Sequence, residues 1–151
     1  MRKEQSGSSR SSRKVAERAF YVLDSYALFA YFEDEEGANI VADLIKRTAE
    51  NVSLFLSLIN FGEVAYITER ERGPQQAVRL LEDIRLLPIT LSRIDEERVI
   101  AAAHIKACYP VSYADAFAIA LAEELGATAV TGDPEFKKVE SMIPVLWLRE
   151  V

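Results

Sequence analysis

The segment Phe20-Tyr21-Val22-Leu23-Asp24-Ser25-Tyr26-Ala27-Leu28 passes from a short aromatic and branched run straight into helix-forming residues, with an aspartate at the junction. Phe20–Leu23 reads as a buried strand. Ser25–Glu33 reads as a short helix with Ala27, Leu28, Ala30 and Tyr31 turned inward. The same alternation continues outward along the chain. Gly37 opens a helix with Ile40, Val41, Leu44, Ile45 and Thr48 on one apolar face, and Val52–Leu56 is a second strand. Leu58–Glu71 turns helical and Gly73-Pro74 breaks it. The next helix runs to about Arg85, with Val78, Leu81 and Ile84 expected inside. Leu87–Leu91 is a third strand, followed by a helix over Asp95–Ala107. Ser112 caps another helix that stops at Gly126. Thr128–Thr131 and Val145–Leu148 are the fourth and fifth strands, on either side of a helical turn at Pro134–Val139. Strands separated by helices imply right-handed crossovers and a central, mainly parallel five-stranded sheet in a three-layer α/β/α sandwich.

Four acidic residues stand beside apolar segments of this pattern: Asp24, Glu63, Asp115 and Asp133. A carboxylate among apolar neighbours is penalised by lost hydration unless something neutralises it. Asp24 and Asp133 end strands, and Glu63 and Asp115 lie near helix starts. All four therefore fall toward the carboxyl edge of the sheet, where open α/β sheets collect ligands. Each has an ordinary explanation as well: Asp24 as a helix cap, Asp133 as a turn former, Asp115 as the partner of Ser112 in a capping box, Glu63 as an exposed stripe. Together they suit a hard divalent cation, Mg²⁺ or Mn²⁺, which takes oxygen ligands and keeps several waters.

Composition narrows the setting. At 151 residues, half of them hydrophobic, the chain can bury a core. It has no apolar run near the roughly 20 residues of a membrane span and no secretory signal pattern. The single cysteine, Cys108, is expected reduced in the core, and these features point to the cytoplasm. Residues 1–18 hold six basic and two acidic side chains, a net of +4. The remaining 12 basic and 22 acidic residues leave −10 on the rest. The Ser-rich basic stretch 1–18 is expected to be a disordered leader, and 19–151 the folded domain. So acidic a domain needs metal ions and a few local arginines to meet nucleic acid. Arg70, Arg72, Arg79 and Arg85 are candidates for that role or plain surface charges. Lone His104 suits packing or an exposed edge rather than ligation, and no zinc set or phosphate-binding glycine loop is present. Glu33-Asp34-Glu35-Glu36 reads as a solvated junction, and Trp147 as core.

The acidic segments resemble the PIN-domain ribonuclease family, and within it the small VapC-like toxins of toxin–antitoxin pairs. Tyr21-Val22-Leu23-Asp24-Ser25 is similar to the family's opening strand and aspartate. Ser57-Leu58-Ile59-Asn60-Phe61-Gly62-Glu63-Val64 is similar to its serine-led stretch and glutamate. Asp115–Ala122, leading to Gly126, and Val130-Thr131-Gly132-Asp133 with Phe136 resemble its third and fourth segments. The likeness runs from Phe20 to Trp147; the leader is longer than small members carry. It implies that 19–151 is a PIN-like nuclease domain that hydrolyses RNA phosphodiesters with Mg²⁺ or Mn²⁺ held by Asp24, Glu63, Asp115 and Asp133. It also implies that Ser25 and Thr131 orient those acids or water, and that the chain forms a homodimer inhibited by a small antitoxin. Three other readings compete. A receiver-like phospho-signalling domain needs a pair of acids after the first strand, where this chain has only Asp24. A haloacid-dehalogenase-type phosphatase needs Asp-x-Asp, and Asp24 is followed by Ser25-Tyr26. A catalytically silent PIN-fold module that binds RNA or protein would not need all four acids.

Overall fold

A computed structural model of the chain describes residues 17–151; of the expected leader, 1–16 lie outside the described residues. The elements in order are β1 (Ala19–Leu23), α1 (Ser25–Phe32), α2 (Ala38–Arg47), β2 (Val52–Ser57), α3 (Leu58–Arg72) and α4 (Pro74–Arg85). There follow β3 (Ile89–Ser92), α5 (Glu96–Cys108), α6 (Tyr113–Leu125), β4 (Thr128–Thr131), a 3₁₀ turn over Pro134–Val139, and β5 (Val145–Trp147). Arg18 already belongs to the folded part. Its guanidinium donates to the carbonyls of Thr48, Glu50 and Val52 and to the Ser53 hydroxyl, fastening the entry of β1 to the α2–β2 turn.

The five strands form one sheet in the order β3-β2-β1-β4-β5, and every neighbouring pair is parallel. The expected α/β sandwich is present. The receiver-like alternative is not, because that fold orders its strands 2-1-3-4-5. Strand side chains alternate between two cores. Val22 and Ala129 meet α5 and α6 through Ala102, Ile105, Phe117 and Leu121. Leu23, Leu54, Leu56 and Val130 meet α1 to α4 through Leu28, Val41, Leu44, Val64 and Ile84. In register, Leu23 stands beside Leu56 on one side and Val130 on the other. The next residues, Asp24, Ser57 and Thr131, therefore emerge at one level on the carboxyl edge.

Three burial expectations fail, each for a local reason. Val78 is 56% exposed, because α4 turns Ala77, Leu80, Leu81 and Ile84 inward and its apolar face sits one residue earlier. Cys108 is exposed at the last turn of α5, where Tyr109 takes the position against the core. Trp147 is half-buried, its indole N–H donating to Glu140. The third strand begins at Ile89, two residues later than expected, because Leu87 and Pro88 complete the turn out of α4.

Candidate metal centre

Asp24 is the first acid the sheet delivers. It is 2% exposed, and one carboxylate oxygen accepts the Ala27 N–H at 2.9 Å, capping α1. The other accepts the Thr131 hydroxyl at 2.5 Å across the β1–β4 boundary. Thr131 in turn accepts the Asp133 N–H at 2.9 Å, so one hydroxyl fixes two acids on neighbouring strands. Asp133 caps the 3₁₀ turn through the Glu135 N–H. Glu63 comes from α3, one and a half turns after Ser57, and accepts the Ser25 hydroxyl at 2.5 Å.

Asp115 sits in the first turn of α6. Ser112 accepts its N–H at 3.1 Å, which is half of a capping box. In a complete box the Asp115 carboxylate would return to the Ser112 N–H. That donor goes instead to Glu135 Oε2 at 2.9 Å. Glu135 thus releases the Asp115 carboxylate into the site and enters the site itself. Oxygens of Asp115, Asp133 and Glu135 all lie within 4.8 Å of one another. Asp24 and Glu63 stand outside that tightest group, but all five acids line one cavity of about 250 Å³, with Ser25, Tyr26 and Phe29 in its wall.

Sequence reasoning missed Glu135. Its signal is the Asp-Pro-Glu run directly after β4, which puts two carboxylates on one tight turn. It also missed Asn60, wholly buried on α3 one turn before Glu63. The Asn60 amide donates to the Ala114 carbonyl at 3.3 Å, tying α3 to the start of α6. Of the four arginines considered as guides for a nucleic-acid backbone, none lines the cavity. Arg72 pairs with Glu33 at 2.6 Å, and Arg70 and Arg85 lie over Tyr66 and Phe61.

Burial and mutual repulsion store protons here. Loss of hydration raises Asp24 from 3.8 to about 7, against the pull of its Thr131 and Ala27 hydrogen bonds, and Asp133 and Glu63 add to the rise. Loss of hydration also raises Asp115 to about 9, helped by its contact with Asp133, by the charges of Asp133 and Asp24, and by Glu135. A donor set made wholly of carboxylate oxygens, crowded enough to hold protons near neutral pH, fits a hard divalent cation. The ion would replace the protons and remove the repulsion.

A model of the PIN domain family matches residues 21–141. The chain belongs to the PIN domain family. Comparison with curated protein sequences finds no match. Among solved structures, a chain of the DNA-bound VapBC from Salmonella typhimurium superposes on this PIN domain with a TM-score of 0.68 and 20% identity, covering 87% of this chain and 99% of that one. A chain of VapBC2 from Rickettsia felis, bound to a DNA fragment from its promoter, gives 0.65 at 18% identity, covering 84% and 97%. VapC20 from Mycobacterium tuberculosis, a toxin that cleaves the sarcin–ricin loop, gives 0.63 at 17%, covering 78% and 92%. At such identities the likeness is one of fold.

Proposed function

We propose that this PIN domain is a metal-dependent endoribonuclease and the toxin of a toxin–antitoxin pair. The observation that carries the reading is the gathering of Asp24, Glu63, Asp115, Asp133 and Glu135 around one open cavity at the carboxyl edge of the sheet. Asp115, Asp133 and Glu135 would hold a Mg²⁺ or Mn²⁺ ion, with Asp24 and Glu63 completing its surroundings. Such an ion supplies a Lewis acid for a phosphodiester and lowers the pKa of water. The chain's own residues do the rest. Thr131 holds Asp24 and Asp133 in fixed relation, and Ser25 holds one oxygen of Glu63 and leaves the other for water. A wall of Tyr26, Phe29 and Ile67 limits solvent on one side.

The toxin assignment rests on family membership and on fold likeness to VapBC complexes. A small antitoxin that places an arginine or lysine in the acidic cavity would exclude both cation and RNA phosphate. No helix among the described residues is long and apolar enough to cross a membrane; a cytoplasmic location is part of the same proposal, because cellular RNA would be the substrate. Incubation of purified protein with labelled RNA and Mg²⁺ or Mn²⁺ is expected to give internal cleavage that EDTA abolishes. RNA left intact with both metals, at protein concentrations that bind Mn²⁺, would reject the nuclease reading.

A further inference from the structure

Gly132, between Thr131 and Asp133, is buried and has no room for a side chain. A Cβ there would lie 2.3 Å from Tyr26 Cε1 and 2.4 Å from Cζ. The Tyr26 ring therefore rests directly on the backbone that carries Asp133, and it also forms part of the cavity wall. Arg149, two residues beyond the end of β5, donates its Nε to the Gly132 carbonyl at 2.9 Å, and its guanidinium carbon lies 5.4 Å from the centre of the Tyr26 ring. The backbone leading to it is fixed from two sides. The Leu148 N–H donates to the Thr131 carbonyl at 2.9 Å, and Gly37, at φ 92°, closes on Leu148 so tightly that a Cβ would lie 2.6 Å away.

An arginine bonded to the backbone of the residue before Asp133 could readily take an acidic partner. Arg149 forms no ion pair among the described residues. The Gly132 carbonyl and the Tyr26 ring hold it, and neither Nη nitrogen is engaged by a described residue. The chemistry of a polyanionic substrate gives this arrangement a use. A cation held by the acids would meet one phosphate, while the next phosphates along the strand would face a domain with ten excess negative charges beyond residue 18. The Arg149 guanidinium, held against Tyr26 of the cavity wall, offers such a phosphate a forked donor.

We propose that Arg149, held by Tyr26 and the Gly132 carbonyl, binds a phosphate of the RNA strand adjacent to the one being cleaved and so sets the strand's register in the site. This rests on the nuclease reading above. The test uses the full chain, a single-stranded RNA oligonucleotide and Mn²⁺. Arg149→Gln is expected to raise KM about tenfold, the scale of one lost charge-assisted hydrogen bond. It is also expected to lower the slope of log(kcat/KM) against log[salt] by about 0.7, the value of one phosphate contact on a single strand. Its Mn²⁺ affinity, read by electron paramagnetic resonance, should stay at the parent value, and Arg149→Lys should restore the slope while keeping a raised KM. An unchanged salt slope in Arg149→Gln, or a loss of Mn²⁺ affinity with KM unmoved, would show that Arg149 only ties down the C-terminal segment. Should Arg149→Gln not fold, a parent-like KM in Arg149→Lys overturns the proposal by itself. Parent protein that binds Mn²⁺ and cuts no RNA would instead remove the nuclease reading, and this inference with it.

Discussion

At Asp24 the helix-capping role and the ligand role coincide: one oxygen caps α1 through Ala27 while the whole group lies buried among other acids. The overlap gives a clean substitution, because Asn caps a helix as well as Asp does. Asp24 titrates at 3.8 when unfolded and about 7 when folded, and Asp115 at 3.8 and about 9. Both folded values are raised, so the folded chain binds more protons than the unfolded one between those limits. The contribution of these two groups to the stability of metal-free protein is then greatest below about pH 4. It falls through pH 7 for Asp24 and on toward pH 9 for Asp115, by about 1.4 kcal/mol for each unit of displacement. Melting curves in EDTA should drop from pH 5 to pH 8, with Mn²⁺ reversing the drop. Asp24→Asn should flatten it and gain on the order of 1–3 kcal/mol at pH 8, after the weaker bond to Thr131 is counted. Asp24→Asn and Asp115→Asn should each abolish metal-dependent RNA cleavage. Parent-rate cleavage by both, or a pH-independent melt, would reduce these acids to caps. Asp24, Glu63, Asp115 and Asp133 were legible in sequence because each breaks an apolar pattern. Glu135 was not, because it sits in a polar turn where an acid breaks nothing.

Among the elements, the junction after β4 is the most constrained. Thr131, Gly132 and Asp133 carry in succession a hydroxyl that ties two acids, a contact with no space for Cβ, and a carboxylate of the site. The Tyr26 ring is half-buried, packed against the apolar core with the Arg149 guanidinium over it. Gly132→Ala should therefore displace either the ring or the Asp133 backbone. The expected loss is about 1–3 kcal/mol of stability, typical of overpacking, with Mn²⁺ affinity falling at the same time. A Gly132→Ala protein with parent stability and parent Mn²⁺ affinity would show that the junction relaxes freely. Strand and helix positions were readable because short continuous apolar runs differ from apolar faces of period 3.6, and because Gly73-Pro74 and Gly126 punctuate the chain. The inward face of α4 was read at Leu81 and Ile84 but missed at its first turn. Choosing Val78 over Ala77 followed hydrophobicity, whereas packing on α3 selected the smaller residue. Nor does a sequence show that Glu135, from a different element, completes the cap at Ser112.

On the scale of the whole molecule, the strand order β3-β2-β1-β4-β5 places β1 at the centre of the sheet, with β2 and β4 on either side of it. Asp24 then has α3 with Glu63 on one flank and β4 with Asp133 on the other, and α6 adds Asp115 above them. Parallel pairing and the acidic edge followed from the alternation of strands and helices, but the order of the strands is a long-range choice that local patterns do not encode. The result is a negative well in a domain that is already acidic. That well is open to whichever cation reaches it first, whether a metal ion or a basic side chain of another protein. We expect the chain to be a homodimer, and we expect the product of the neighbouring reading frame to inhibit it by inserting an arginine or lysine. Such a side chain occupies the position of the metal, so rising Mn²⁺ should progressively restore RNA cleavage in the mixture, whereas added monovalent salt of equal ionic strength should not. Light scattering on the free protein, and cleavage assays across a Mn²⁺ series with the partner present, measure the two halves separately. A monomer that keeps full activity beside its neighbour's product would sink the toxin assignment, and the nuclease assignment would stand on the acids alone.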